Sequence, residues 1–137
     1  MGTNPKIITS TPKGRVITVH TKSGSVTARI EWNPGFGPRF TRQMQSGQAK
    51  FDMEVMKQME PYMQLDSGAM INSMRLATDV GSGLIRVRTP YARRRYYERT
   101  RIGISKHPLG GPYYFLRMRA DKHAYLRSFA AKVVGAK

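Results

Sequence analysis

The chain contains no cysteine, which excludes disulfides and thiolate metal sites and points to a reducing assembly compartment. Acids are also scarce: 8 Asp and Glu stand against 24 Lys and Arg in 137 residues, a formal net charge of +16, with a pI near 10.8. No apolar run approaches membrane-spanning length, and residues 1–10 lack the apolar stretch of a signal peptide. The expectation is a chain made in the cytosol that does not enter a membrane. Catalytic groupings are missing too. His20, His107 and His123 share no metal-ligand spacing, and Asp121 and His123, like Asp52 and Glu54, are two positions apart, where helical side chains diverge. Pro34 and Pro38 break up the Gly-x-Gly of residues 35–37, so it makes no phosphate loop. With no activated serine and no paired carboxylates, the chain is expected not to be an enzyme and to need neither cofactor nor metal.

The length suits one domain with one core, 1–137, and a 39% hydrophobic fraction is too high for a disordered chain. Residues 1–14, with Pro5, Pro12 and Gly14, have no periodicity and read as an arm. Alternation of Ile17 and Val19, then Val26, Ala28, Ile30 and Trp32, around Lys22-Ser23-Gly24 predicts a hairpin over 15–32. After the break at 33–38, Phe40, Met44, Gly47, Phe51, Val55 and Met59 recur every three or four residues. This spacing predicts a long helix over 39–60, ended or bent by Pro61. Gly47 on that stripe implies a close approach to a sheet. Of the nine methionines, Met44 and Met59 fit the core, whereas Met53 and Met56 lie off the stripe and fit a subunit contact.

The stretch from Leu65 to Tyr97 organises the rest. Asp66-Ser67-Gly68-Ala69 places a short side-chain acceptor before an apolar run, so a short helix should start near Asp66 or Ser67, with Asp66 as its cap. Met74, Leu76 and Thr78, then Ile85 and Val87 across Gly81-Ser82-Gly83, alternate as a second hairpin would. Pro90 suits the first position of a helix carrying Tyr91, Ala92, Arg93, Arg94, Arg95, Tyr96 and Tyr97. A loop of about a dozen residues follows from Arg99, long enough to be functional or ordered by a partner. From Tyr113 a last helix should put Phe115, Met118, Tyr125, Phe129 and Val133 on one apolar face, with Lys122 interrupting it. The fold class that results is α+β: a small antiparallel sheet packed by one long helix and a C-terminal helix, preceded by the N-terminal hairpin and arm.

Charge is concentrated late, with 12 basic and 2 acidic side chains in residues 93–137. Such asymmetry points to a polyanion or an acidic protein partner. Arg93, Arg94, Arg95, Arg99 and Arg101, interleaved with Tyr96 and Tyr97, could hold phosphate through guanidinium forks and stack bases. On a helix, three consecutive arginines fan over roughly 200°, so they cannot all meet one ligand. Most of the run is expected to face neighbouring subunits and the remainder duplex DNA.

Three fragments, taken in order, resemble the neck or tail-completion (minor capsid) proteins of long-tailed bacteriophages. They are Leu65-Asp66-Ser67-Gly68-Ala69-Met70 with Asn72-Ser73, then Pro90-Tyr91-Ala92 followed by Tyr97-Glu98, then Gly111-Pro112-Tyr113-Tyr114-Phe115. The family pattern reads roughly Asp-Thr-Gly-x-Leu then x-Ser, so Ser67, Met70 and the arginine-loaded segment depart from it. The resemblance implies a neck-protein-like core over 39–134, with Asp66, Ser67, Gly68, Ser73, Pro90, Tyr91, Ala92 and Phe115 as its structural signature. It also implies a structural virion protein of the head–tail connector: a homo-oligomeric ring of roughly six or twelve copies in the neck, assembled in the host cytoplasm. Its partners would be the head-closure or adaptor proteins and the tail-terminator proteins, with non-specific duplex DNA in the channel. Composition alone equally suits a stand-alone basic nucleic-acid-binding protein of ribosomal or nucleoid type, which would leave the order of the three fragments unexplained.

Overall fold

A computed structural model describes residues 7–98 and 106–135. The element order is β1 (Arg15–Thr21), β2 (Gly24–Ile30), α1 (Phe36–Met59), a 3-10 turn (Glu60–Tyr62), α2 (Ala69–Ala77), α3 (Ala92–Tyr97) and α4 (Tyr114–Val134). The fold is α+β, with a two-stranded antiparallel sheet, a long helix and a C-terminal helix.

α1 and α4 lie antiparallel along each other. The Gln43 amide donates to the carbonyl of Val134, the Tyr125 hydroxyl to Glu54 at 2.9 Å, and the Tyr62 hydroxyl to Asp121 at 2.9 Å. Gly47 allows this approach, but the neighbour is the end of α4 and not a sheet: an added Cβ would sit 3.3 Å from Val134 Cγ2 and 3.4 Å from the Val133 carbonyl. The core between these helices, the 3-10 turn and α2 is rich in methionine, and Met63, Met74 and Met118 are wholly enclosed. An unbranched thioether fits where helices meet at irregular angles. Met56 belongs to this core at 8% exposure, contrary to its expected place at a subunit contact. Helical stripes are wider than one residue in seven, and position 56 lies beside 55 and 59. Met53 is exposed.

The α4 stripe is also rotated from expectation. Tyr114, Met118 and Leu126 are buried, whereas Phe115 and Tyr125 are 37% and 45% exposed. The helix starts at Tyr114, after Tyr113 in a left-handed conformation (φ 51°), and this start sets which side faces α1. Pro61 closes α1 into the 3-10 turn as expected of a residue with no amide hydrogen.

The second hairpin expected over Met74–Val87 is not formed. α2 runs to Ala77, because Met70, Ile71 and Met74 bury one helical face, a stronger pattern than three alternating residues. Residues 84–89 are held instead by side-chain hydroxyls. The Arg86 amide donates to Thr78 Oγ1 at 3.1 Å and the Arg88 amide to Ser73 Oγ at 2.8 Å. Among the described residues the sheet is the N-terminal hairpin alone, in the register Val19 to Val26, and every residue of its strands is exposed. The arm preceding it lies on the start of α1, where Thr9 and Thr41 exchange two hydrogen bonds and the Gly37 amide donates to Thr11 Oγ1.

Candidate subunit and nucleic-acid interface

The signature fragments converge in space. The 64–70 loop, Tyr91 and Arg95 line a cleft of ≈ 320 Å³, and the third fragment is tied to the same region. The Tyr113 amide donates to the Tyr96 carbonyl at 2.8 Å, and the Gly111 amide to the Tyr62 carbonyl at 3.2 Å. Tyr96 is the hub, its ring edge-on to Tyr114 at 4.8 Å, to Tyr97 at 5.0 Å and to Tyr113 at 5.6 Å. Burial pushes the Tyr96 phenol above its ordinary value, and it pushes Tyr114 up to about 12.

Around this hub the signature residues take distinct places. Asp66 is exposed and does not cap α2. The cap position belongs to Gly68, whose φ of 80° a side chain would resist, and Ser67 Oγ accepts a long 3.4 Å bond from the Ala69 amide. The helix therefore starts two residues later than the acceptor side chain suggested. Ser73 holds the Arg88 amide. Pro90 lies before the cap residue Tyr91 rather than at the first helical position, and Ala92 is buried. Phe115 sits at the edge of a second concavity described below.

The arginine run divides as its fan requires. Arg94 forks onto Glu98 at 3.1 and 3.2 Å, and Arg95 reaches into the cleft and donates to Gln64 Oε1 at 3.2 Å. Arg93 is exposed and has no ion pair among the described residues. Arg99 and Arg101 lie outside the described residues. Tyr97 is 58% exposed and could offer a ring face, whereas Tyr96 is committed to the aromatic cluster.

Two anchors were not foreseen from the sequence. Asp52, at 3% exposure, accepts the amides of Gly81 and Gly83 at 2.8 and 3.0 Å and the Gln48 amide at 2.6 Å. It thereby fixes the glycine turn to α1. Arg117 donates to the carbonyls of Pro112 and Tyr62, with its guanidinium 5.8 Å from the Tyr62 ring centre. The faint signal for Asp52 was an acid next to the apolar stripe of a helix otherwise short of acids.

A second concavity, of ≈ 640 Å³, runs between the C-terminal half of α1, α4 and residues 83–87. Its lining is largely apolar, with Val55 and Leu126 buried and Leu84 and Phe115 exposed at its edge, and Arg119, His123 and Arg127 line it at helical spacing along α4. Most of the chain's acids are engaged internally: Glu31 with Arg29, Glu60 with Arg75, Glu98 with Arg94, and Asp52, Glu54 and Asp121 in hydrogen bonds. Among the described residues only Asp66 and Asp79 have no side-chain hydrogen bond or ion pair, so few acids are left to balance the excess of Lys and Arg. Among the described residues no three His, Cys, Asp or Glu side chains gather as a metal site requires, and no helix is long and apolar enough to cross a membrane. No family model, curated protein or solved structure matches the chain.

Proposed function

We propose that the chain is a structural, non-enzymatic subunit of a phage head–tail connector, assembling as a homo-oligomeric ring in the neck of the virion. The observation that carries this reading is the chain of contacts among the three signature fragments: the first two share one cleft, and the second and third share the tyrosine cluster around Tyr96. Segments far apart in sequence that resemble one family in order also form one physical unit. The engaged acids add a second support, because a surface with unmatched positive charge is relieved by acidic neighbours or by DNA. In the ring, Arg93 and the cationic face of α4 would meet acids of adjoining head-closure or tail-terminator proteins. Any contact with DNA in the channel would be to phosphate, without base readout.

The division of the arginines favours this over a stand-alone nucleic-acid binder. A stacking groove needs several free rings and guanidinium groups along one track, and Tyr96, Arg94 and Arg95 are already committed within the chain. The test is genetic and structural. Removing the chain from a phage that encodes it should yield DNA-filled heads without attached tails, and a labelled copy should sit at the neck. Intact, infectious particles made without the chain would refute the proposal.

A further inference from the structure

The concavity between α1, α4 and residues 83–87 pairs an apolar lining with charge of one sign. Val55, Met118 and Leu126 are buried in it, while Leu84 and Phe115 stay exposed at its edge. Arg119, His123 and Arg127 line it at four-residue intervals, on a single row of α4 that measures about 12 Å from first to last. All three are exposed, and among the described residues none has an ion pair or a side-chain hydrogen bond. Asp52, the one acid among the described lining residues, is occupied by the Gly81 and Gly83 amides and the Gln48 side chain.

This charge pattern selects the occupant. A second copy of the chain does not suit it: Asp66 and Asp79 are the only acids left without an internal partner among the described residues, and both lie outside the helices and strands. No element of the chain therefore offers a row of free carboxylates. Duplex DNA could meet the cations, but a phosphate backbone has no side chains to put into the groove and would leave its apolar lining in water. A small amphipathic anion would pair with one cation and leave the other two. A helix with acids at i, i+4 and i+8 meets all three, and its neighbouring row of apolar side chains enters the groove.

We infer that the α1–α4 groove receives an acidic amphipathic helix of a different protein. The inference rests on the connector reading for the identity of that protein, a neighbour in the neck, and adds the chemistry by which the neighbour is recognised. Exposed charge pairs contribute little each, so burial of the apolar row supplies most of the affinity, and the cations fix the helix in register and reject basic partners.

The probe is a synthetic helical peptide of about four turns, with Glu at every fourth position in one row and Leu in the adjacent row. Its control has the same composition in shuffled order. Binding of the labelled peptides to the full chain is read by fluorescence anisotropy at physiological ionic strength. The phased peptide should bind about tenfold more tightly than the shuffled one. Arg119→Glu with Arg127→Glu should weaken it by about tenfold. Lys22→Glu with Arg39→Glu, an equal change of charge at exposed positions outside the groove, should leave it within about twofold. Ala130→Phe, which narrows the groove from α4, should also weaken the phased peptide while helical circular dichroism is kept. Equal binding of the two peptides, or a phased peptide indifferent to the groove variants, overturns the inference in favour of a simple polyanion contact such as duplex DNA. Break-up of chain multimers by the phased peptide overturns it too, because a second copy then fills the groove. Each of these failures leaves the ring reading standing, whereas phased binding to a chain that stays monomeric supports the groove and removes the ring.

Discussion

Replacing Asp52 with Ala leaves the amides of Gly81 and Gly83 without their acceptor inside the fold. A buried carboxylate that receives backbone hydrogen bonds contributes more than a neutral acceptor, and stranded donors add their own desolvation cost. Asp52→Ala is expected to lower stability by about 3 kcal/mol, read as a fall in the urea midpoint at unchanged slope. Asp52→Asn, which keeps one acceptor oxygen, should lose less. Thr89 offers the opposite case, since its buried hydroxyl has no hydrogen-bond partner among the described residues. Thr89→Val should therefore leave stability unchanged or raise it by about 1 kcal/mol; a loss of similar size would reveal a partner for that hydroxyl. Tyr114 makes stability depend on high pH. Burial raises its phenol from the usual value near 10 to about 12, so the folded chain favours the neutral form. Its contribution is complete below pH 10 and is lost as pH rises from 10 through about 12. Thermal melts across that window should show a steep fall that Tyr114→Phe makes shallower.

The helices were the most readable elements, and the reasons differ from one to the next. α1 was visible because its apolar spacing runs for more than five turns and Pro61 marks its end. The N-terminal hairpin was visible because alternation on both sides of Lys22-Ser23-Gly24 has no helical reading. Residues 74–87 misled because alternation over Met74, Leu76 and Thr78 competes with the helical set Met70, Ile71 and Met74, and burial against the core decides for the helix. The Asp66 cap failed for a related reason: Gly68 in a left-handed conformation starts α2 with no acceptor side chain. The cleft was readable only as separate fragments, since nothing in sequence places Arg95 against Gln64 across 31 positions. α3 yields a prediction of its own. Arg94 is satisfied by Glu98 just past the helix end, and Arg93 has no ion pair among the described residues. Arg93→Ala should weaken self-assembly or partner capture more than Arg94→Ala, with both folded chains within about 0.5 kcal/mol of the parent. Equal effects on assembly, followed by size-exclusion chromatography at fixed concentration, would remove Arg93 from the interface.

The molecule as a whole combines acids that are mostly engaged internally, a large excess of cations, and exposed apolar side chains on the N-terminal hairpin. Such a chain is expected to bind duplex DNA weakly, without regard to sequence, and to lose that binding steeply between roughly 50 and 200 mM salt. A nanomolar, sequence-selective and salt-resistant complex would instead mark a dedicated nucleic-acid binder. The central claim, that the chain is a ring-forming subunit, is tested most directly by native mass spectrometry of the purified protein over a range of concentrations. The expected result is a concentration-dependent shift from the 15.5 kDa chain to one dominant closed multiple of that mass, with few intermediates. A single 15.5 kDa species at every concentration would contradict it.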